Sequence, residues 1–300
     1  MASPELRIDH RPELNRPVLI AAFRGWNDGG QGATLACGYL GQVWNAERFA
    51  DIDPEGFVDF QAIRPHVSLD EGLTRHIEWP ENTFHHASIP GLDRDAILLL
   101  GVEPNYRWRT FCELIVDLAR ELGADLVVTL GALLADVPHT RPAPVTGSAT
   151  DPELVERLGL QQSRYEGPTG IVGVLHDACR EAGLASASLW AAVPHYVSLA
   201  PSPRAARAIV DRLGVLLGTE IDTVELAEAE ESYSQQVTEA VSSDAETAAY
   251  VEELERRTDS VEEITEDDLP SGDSLAAELT RFLRQHDSEQ DDDGEGPREQ

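Results

Sequence analysis

In Val18-Leu19-Ile20-Ala21-Ala22-Phe23-Arg24-Gly25-Trp26-Asn27-Asp28-Gly29-Gly30, a run of apolar residues follows Pro17 and ends in a glycine-rich turn. Such a run, short and bounded by turn residues, is the mark of a strand covered on both faces. A helix is predicted from the turn to about Trp44. Strand, glycine turn and helix in that order begin an α/β unit.

The alternation recurs downstream. Asp95–Gly101 reads as a second buried strand. Phe111, Leu114, Ile115, Leu118 and Leu122 lay one apolar stripe along a helix from about Asn105 to Leu122. Ala124–Leu130 reads as a strand that Gly131 ends, and a Pro-rich loop runs from Asp136 to Pro144. Helices are predicted near 151–158 and 169–182, a strand at Ser188–Val193, and a helix at Ser202–Leu217 striped by Ile209, Val210, Leu213 and Leu217. Segments 56–63, 74–79 and 83–89 read as antiparallel or edge strands, with alternation in Arg75-His76-Ile77-Glu78-Trp79. Strands separated by long helices pair in parallel, with the helices on both sheet faces. The expected fold is a three-layer α/β/α sandwich around a mostly parallel central sheet.

The 300 residues fit about two domains. Acidity divides them unevenly: residues 220–300 hold 27 acids against five arginines, and the rest hold 28 acids against 18 arginines. The shift falls at Gly218–Thr219. It sets the expected division into an α/β/α domain over 1–218, an acidic helical region over 219–286 and a disordered acidic tail over 287–300. Leu226, Ala229, Tyr233, Val237 and Val241 mark the first acidic helix; a second runs through Leu254, and a third uses Leu275, Leu279, Phe282 and Leu283.

Charge and composition exclude several functions. A net charge of −32 leaves no basic face to coat nucleic acid or to dock on anionic membranes. No apolar run approaches a membrane span, and Met1 to Pro17 is polar without an export-type apolar core, so a soluble cytoplasmic protein is expected. The chain has no lysine, which removes Walker A loops, Schiff-base chemistry and lysine bases. Cys37, Cys112 and Cys179 lie far apart without a CxxC and read as buried helical thiols. GxSxG and GxGxxG are absent; His85-His86 point to opposite sheet faces, His176 lacks HExxH spacing, and Asp291-Asp292-Asp293 lacks EF-hand spacing. No metal and no cofactor are expected.

In open parallel sheets, ligands bind beyond the carboxyl ends of the strands. There the chain places Asn27 and Asp28, then Glu103 and Asn105, then Asp136, His139, Thr140 and Arg141, and lastly His195. If the strands are parallel neighbours, these groups converge on one edge. Arg141 would then grip a phosphate or carboxylate, His139 or His195 would act as general acid or base, and Glu103 would contact sugar hydroxyls or orient a histidine. The structural alternative is turn and cap chemistry: Asn27 or Asp28 capping the first helix, and Asn105 capping the next. A third possibility is an interaction module whose acidic helices recruit a basic partner.

The segment 18–30 resembles the opening of the proteasome assembly chaperone 2 family, in particular its high-G+C bacterial branch. Supporting segments are Gly101-Val102-Glu103-Pro104-Asn105 with Trp108, Gly131 through Asp136-Val137-Pro138-His139-Thr140-Arg141-Pro142, and Val193-Pro194-His195-Tyr196. The resemblance covers about residues 17–218, and the acidic helical extension also fits that branch. It implies an α/β/α sandwich similar to nucleoside phosphorylases and hydrolases, a helical C-terminal region and homo-oligomers, dimer or trimer. It also implies a non-enzymatic assembly chaperone or scaffold with proteasome core subunits as partners. The alternative is an enzyme or sensor that binds a phosphorylated or carboxylated metabolite. Chaperones and activators of this kind often end in a hydrophobic–Tyr–any-residue tail. This chain ends Gly296-Pro297-Arg298-Glu299-Gln300, so proteasome contact is expected through the folded surface.

Overall fold

The computed structural model describes residues 4–70, 74–150, 161–162 and 166–262. In chain order its strands are β1 (Leu6–Ile8), β2 (Val18–Arg24), β3 (Glu47–Ile52), β4 (His66–Asp70), β5 (Thr74–Glu78), β6 (Asn82–Ser88), β7 (Asp95–Val102), β8 (Leu126–Ala135), β9 (Val145–Ala149), β10 (Gln161–Gln162) and β11 (Ser186–Pro194). The helices are α1 (Gly32–Val43), α2 (Trp108–Glu121), α3 (Ile171–Glu181), α4 (Pro203–Leu217), α5 (Val224–Ser242) and α6 (Ala245–Glu262).

The apolar run of β2 explains the layering. Side chains alternate across a strand, so Val18, Ile20 and Ala22 enter one core while Leu19, Ala21 and Phe23 enter the other. The first core gathers Ala36 and Leu40 of α1 with Ile209, Val210 and Leu213 of α4. The second gathers Phe111, Leu114, Ile115 and Leu118 of α2 with Ile171, Val172 and Leu175 of α3. The three-layer α/β/α arrangement follows from a sheet apolar on both sides.

The main sheet runs β1-β3-β6-β7-β2-β8-β11-β9-β10, and β4-β5 form a separate hairpin. Its centre, β7-β2-β8-β11, is parallel. The margins turn antiparallel: β6 against β7, β3 against β6, β1 against β3, and β9 against β11. The sheet is therefore mixed, with a parallel centre and one further parallel pair, β9 with β10, at its margin.

Three local expectations change. Segment 56–63 is no strand. Pro54–Gly56 make a short 3₁₀ turn that the Asp53 carboxylate caps through the Glu55 N–H. The apolar signal belongs to Phe57, which is fully buried with its ring 5.4 Å from that of Phe111. Strand β3 lies just before it, ending in the buried Phe49, Ala50 and Ile52. Asn105 does not cap α2, whose first residue is Trp108; its Oδ1 accepts instead from the Asp59 N–H at 2.7 Å. Strand β8 does not stop at Gly131 but runs to Ala135, because β11 pairs with it in parallel to its end, and on the other side the Ala132 N–H donates to the Asn27 carbonyl at 2.8 Å. Gly131 is needed for closeness, since a Cβ there would sit 2.5 Å from the Trp190 ring on β11.

Ser202 caps α4 through the Ala205 N–H, Pro203 starts it, and Gly218 closes it in the left-handed region. Leu226 of α5 joins the first core, and Tyr233 and Val237 are also buried. The described residues up to Leu254 pack as one compact unit. The helix near 151–158, the helix with Leu275 to Leu283, and the tail over 287–300 lie outside the described residues. All three thiols are buried, Cys37 in the first core and Cys112 and Cys179 in the second. Burial pushes Cys37 and Cys112 up to about 12 and Cys179 to about 11. No described helix is long and apolar enough to cross a membrane.

Replacing Gly131 by Val drives two methyl groups against Trp190. Overpacking of this kind costs about 1–3 kcal/mol, so urea denaturation of Gly131→Val is expected to show a midpoint well below the parent. An unchanged midpoint would show that the Trp190 contact is not a constraint.

Candidate functional site

The carboxyl ends of β7, β2, β8 and β11 do share one edge, but the nine candidate residues divide there into two groups. Asn27, Asp28, Glu103 and Asn105 stand around the ends of β2 and β7. Asp136, His139, Thr140, Arg141 and His195 stand beyond β8 and β11.

The first group is bound to the backbone. Glu103 Oε2 accepts from the Trp26 N–H at 3.0 Å; its Oε1 accepts from Asn27 Nδ2 at 2.8 Å and from the Ile171 N–H at 2.9 Å. One carboxylate thereby joins the end of β7, the turn after β2 and the first N–H of α3. A negative charge at a helix N-terminus is favourable in itself. Asp28 Oδ1 accepts from the Ala33 and Thr34 N–H groups, and Thr34 Oγ1 donates to Oδ2. Asp28 thus caps α1 from several residues away. Burial raises its pKa, while these hydrogen bonds and Arg24 oppose the rise. Gly170 permits the close approach, since a Cβ on it would lie 2.3 Å from Asn27 Oδ1.

The second group is a polar and aromatic cluster. His139 is buried, and its backbone N–H donates to Tyr196 Oη at 2.8 Å. Tyr196 Oη lies 2.9 Å from His139 Nδ1, and Thr238 Oγ1 lies 3.2 Å from Nε2. Thr238 donates to the Ser234 carbonyl, so its oxygen is the acceptor toward His139. His195 Nδ1 lies 3.1 Å from Asp136 Oδ1, which also accepts from the Tyr250 hydroxyl at 3.2 Å. The rings of His195, Tyr196 and Tyr250 meet edge to face at 5.6–6.1 Å. The cluster fastens α5 and the start of α6 to the sheet edge. Tyr250 and Thr238 carry no sequence signal for this; Tyr196 was visible only as the neighbour of His195.

Beside the first group, with Asp28 in its wall, lies a cavity of about 690 Å3, walled also by Trp26, Leu133, Leu134 and Trp190 with His176 and Ser188. His176 Nδ1 lies 3.1 Å from Ser186 Oγ, and burial lowers its pKa. Trp26, Leu133 and Leu134 are 66%, 41% and 58% exposed, an apolar rim at the mouth of the cavity. Arg141 and Thr140 face a different cavity, beyond α4. No single centre therefore holds a candidate base beside Arg141 and Glu103. Among the described residues no group of three His, Cys, Asp or Glu side chains is placed to hold a metal ion.

Glu103→Ala would leave the Asn27, Trp26 and Ile171 donors unpaired. Hydrogen bonds to a charged group contribute about 1.5–3 kcal/mol each in favourable cases, and partial exposure of Glu103 brings the expected total to about 2–4 kcal/mol by urea denaturation. Glu103→Gln, which keeps an acceptor, should fall between. A loss under about 0.5 kcal/mol in Glu103→Ala would remove this carboxylate from the structural role.

The profile of the PAC2 family matches residues 22–241. A PAC2 family protein from Streptomyces avermitilis is 47% identical, with a TM-score of 0.73 over 78% of this chain and 99% of that one. A proteasome-assembly chaperone homologue from Mycobacterium tuberculosis is 45% identical, with a TM-score of 0.72 over 78% of this chain and 99% of that one. An archaeal proteasome activator from Pyrococcus furiosus, 19% identical with a TM-score of 0.65 over 78% of this chain and 97% of that one, shares the fold. No curated protein matches the chain. The sandwich, its two cores and the segments at the strand ends thus have relatives across most of their length, and the chain belongs to the PAC2 family.

Proposed function

We propose that this protein is a non-enzymatic assembly chaperone or scaffold that acts on proteasome core subunits. The reading rests on the 45% identical Mycobacterium tuberculosis protein, described as a proteasome-assembly chaperone homologue. The geometry at the sheet edge supports it. Glu103 and Asp28 spend their charge on backbone N–H groups, while Trp26, Leu133 and Leu134 offer exposed apolar area beside them. Exposed apolar area rimmed by polar residues suits a protein surface. The contact surface in this proposal is that rim.

The protein works in the cytoplasm as a homo-oligomer, dimer or trimer, in the same proposal. The β4-β5 hairpin supports self-association. Val67, Leu69 and Ile77 share one of its faces and are each more than half exposed. A two-stranded hairpin is marginal in water without something packed on it.

The test is a pull-down from source cells with the full tagged chain, read by mass spectrometry. Core α or β subunits should be enriched over a tag control, and the double variant Trp26→Ala, Leu134→Glu should lose them while keeping the parent melting temperature. Recovery of nothing but the chain itself would end the assembly reading.

A further inference from the structure

The cavity of about 690 Å3 beside Asp28 opens where β2 has β7 on one side and β8 on the other. Such a reversal of strand order, at the carboxyl ends of parallel strands, is where open α/β sheets hold their ligands. One side of the cavity is a sheet face. Trp190 of β11 lies opposite Gly131 of β8 and Thr146 of β9, and Ser188 of β11 lies opposite Ser148 of β9. Residues paired in this way share a face. The other side is α3, which contributes Gly173 and His176. Trp26 stands at the mouth.

Three polar groups in these walls are left over by the fold. The Thr146 and Ser148 hydroxyls make no hydrogen bond among the described residues. His176 Nδ1 lies 3.1 Å from Ser186 Oγ, and its Nε2 is unbonded. None of the three atoms is sealed from solvent. The Trp190 indole is held flat beside them. Its Nε1 donates to Ser188 Oγ at 2.8 Å, and its ring lies face down on Gly131, with three carbons 2.5–2.7 Å from where a Cβ would stand. Charge is nearly absent. Among the described residues Asp28 is the only carboxylate in the walls, no arginine lines them, and both Asp28 oxygens are bound at the start of α1. Burial lowers the His176 pKa and keeps the ring neutral at neutral pH. An ion would lose its water here and gain no counter-charge. A purely apolar occupant would leave the three polar groups unpaired.

We propose that this cavity binds a small uncharged heteroaromatic molecule, with its ring against Trp26 and Trp190 and its polar edge on Thr146, Ser148 and His176. Aromatic faces favour a flat ring. A heterocycle edge carries donors and acceptors side by side, and each hydroxyl can serve as either. The volume lies within the range of small-molecule sites, about 300–1,000 Å3. The site lies behind the apolar rim and does not depend on the chaperone reading, since of these five residues only Trp26 belongs to that rim.

Calorimetric titration of the full chain at neutral pH, with adenine and uracil as probes, tests it. Saturable one-to-one binding of at least one base is expected. It should be at least tenfold tighter than that of benzyl alcohol, of orotate (a uracil ring bearing a carboxylate) or of N-acetyl-tyrosine amide. The double variant Thr146→Val, Ser148→Ala removes two hydroxyls that bond nothing in the fold. It should keep the melting temperature and weaken binding at least tenfold. Should it fail to fold, Trp26→Ala, at an exposed position, should still weaken binding at least threefold. No saturable heat with either base overturns the proposal, as does binding that the foldable variant leaves unchanged. Benzyl alcohol or orotate binding as tightly as the base overturns the assignment to an uncharged ring with a polar edge. The tyrosine amide binding as tightly overturns it in favour of a side chain from a protein partner.

Discussion

The Glu103 carboxylate holds together three parts of the chain that are distant in sequence. It binds the turn after β2 through Trp26 and Asn27 and the start of α3 through Ile171, while its own backbone continues β7. Trp26 and Asn27 belong to one turn and Ile171 to the first turn of α3, so the carboxylate bridges two segments besides its own. Without the clip, three donors would face each other around one gap, with Asn27 almost wholly buried among them. The turn would then lose its fixed place beside β8, where the Ala132 N–H reaches the Asn27 carbonyl. That contact prolongs the β2 side of β8 past Gly131, where β11 pairs with β8 through Ala135 on the other side, next to the exposed Leu133 and Leu134. A polar bond inside the edge therefore lies beside an apolar surface outside it.

The same bond explains which parts of the fold were legible. A strand covered on both faces writes an unbroken apolar run, so β2 and β7 could be read directly, as could the stripes of α2 and α4. Phe57 wrote a similar signal for another reason: it anchors a loop by stacking on Phe111. Apolar content alone does not distinguish an anchor from a strand. Gly131 read as an ending because glycine usually breaks pairing, whereas here it admits the Trp190 ring. That distinction lies on a neighbouring strand some sixty positions away and has no local trace.

The candidate residues were located more reliably than their roles. All nine lie beyond strand ends or in the loops that follow, as the rule for parallel sheets requires. Their division into two groups comes from pairing order, which places β7 and β8 on opposite sides of β2. Asp28 and Glu103 accept hydrogen bonds from backbone N–H groups, a pattern that capping chemistry describes. His139 and His195 gained aromatic and hydroxyl partners from helices whose acidic composition advertised only a solvated face.

The three thiols carry a further consequence. They sit on both sides of the sheet, Cys37 with α1 and Cys112 and Cys179 with α2 and α3, and burial keeps them in the unreactive protonated form. Alkylation therefore reports exposure events and almost nothing else. Because the chain has no lysine to compete for electrophiles, the thiols form an internal pair of clocks, one for each layer. Equal rates would mean that both helical layers leave the sheet in one cooperative step; unequal rates would identify the layer that opens first.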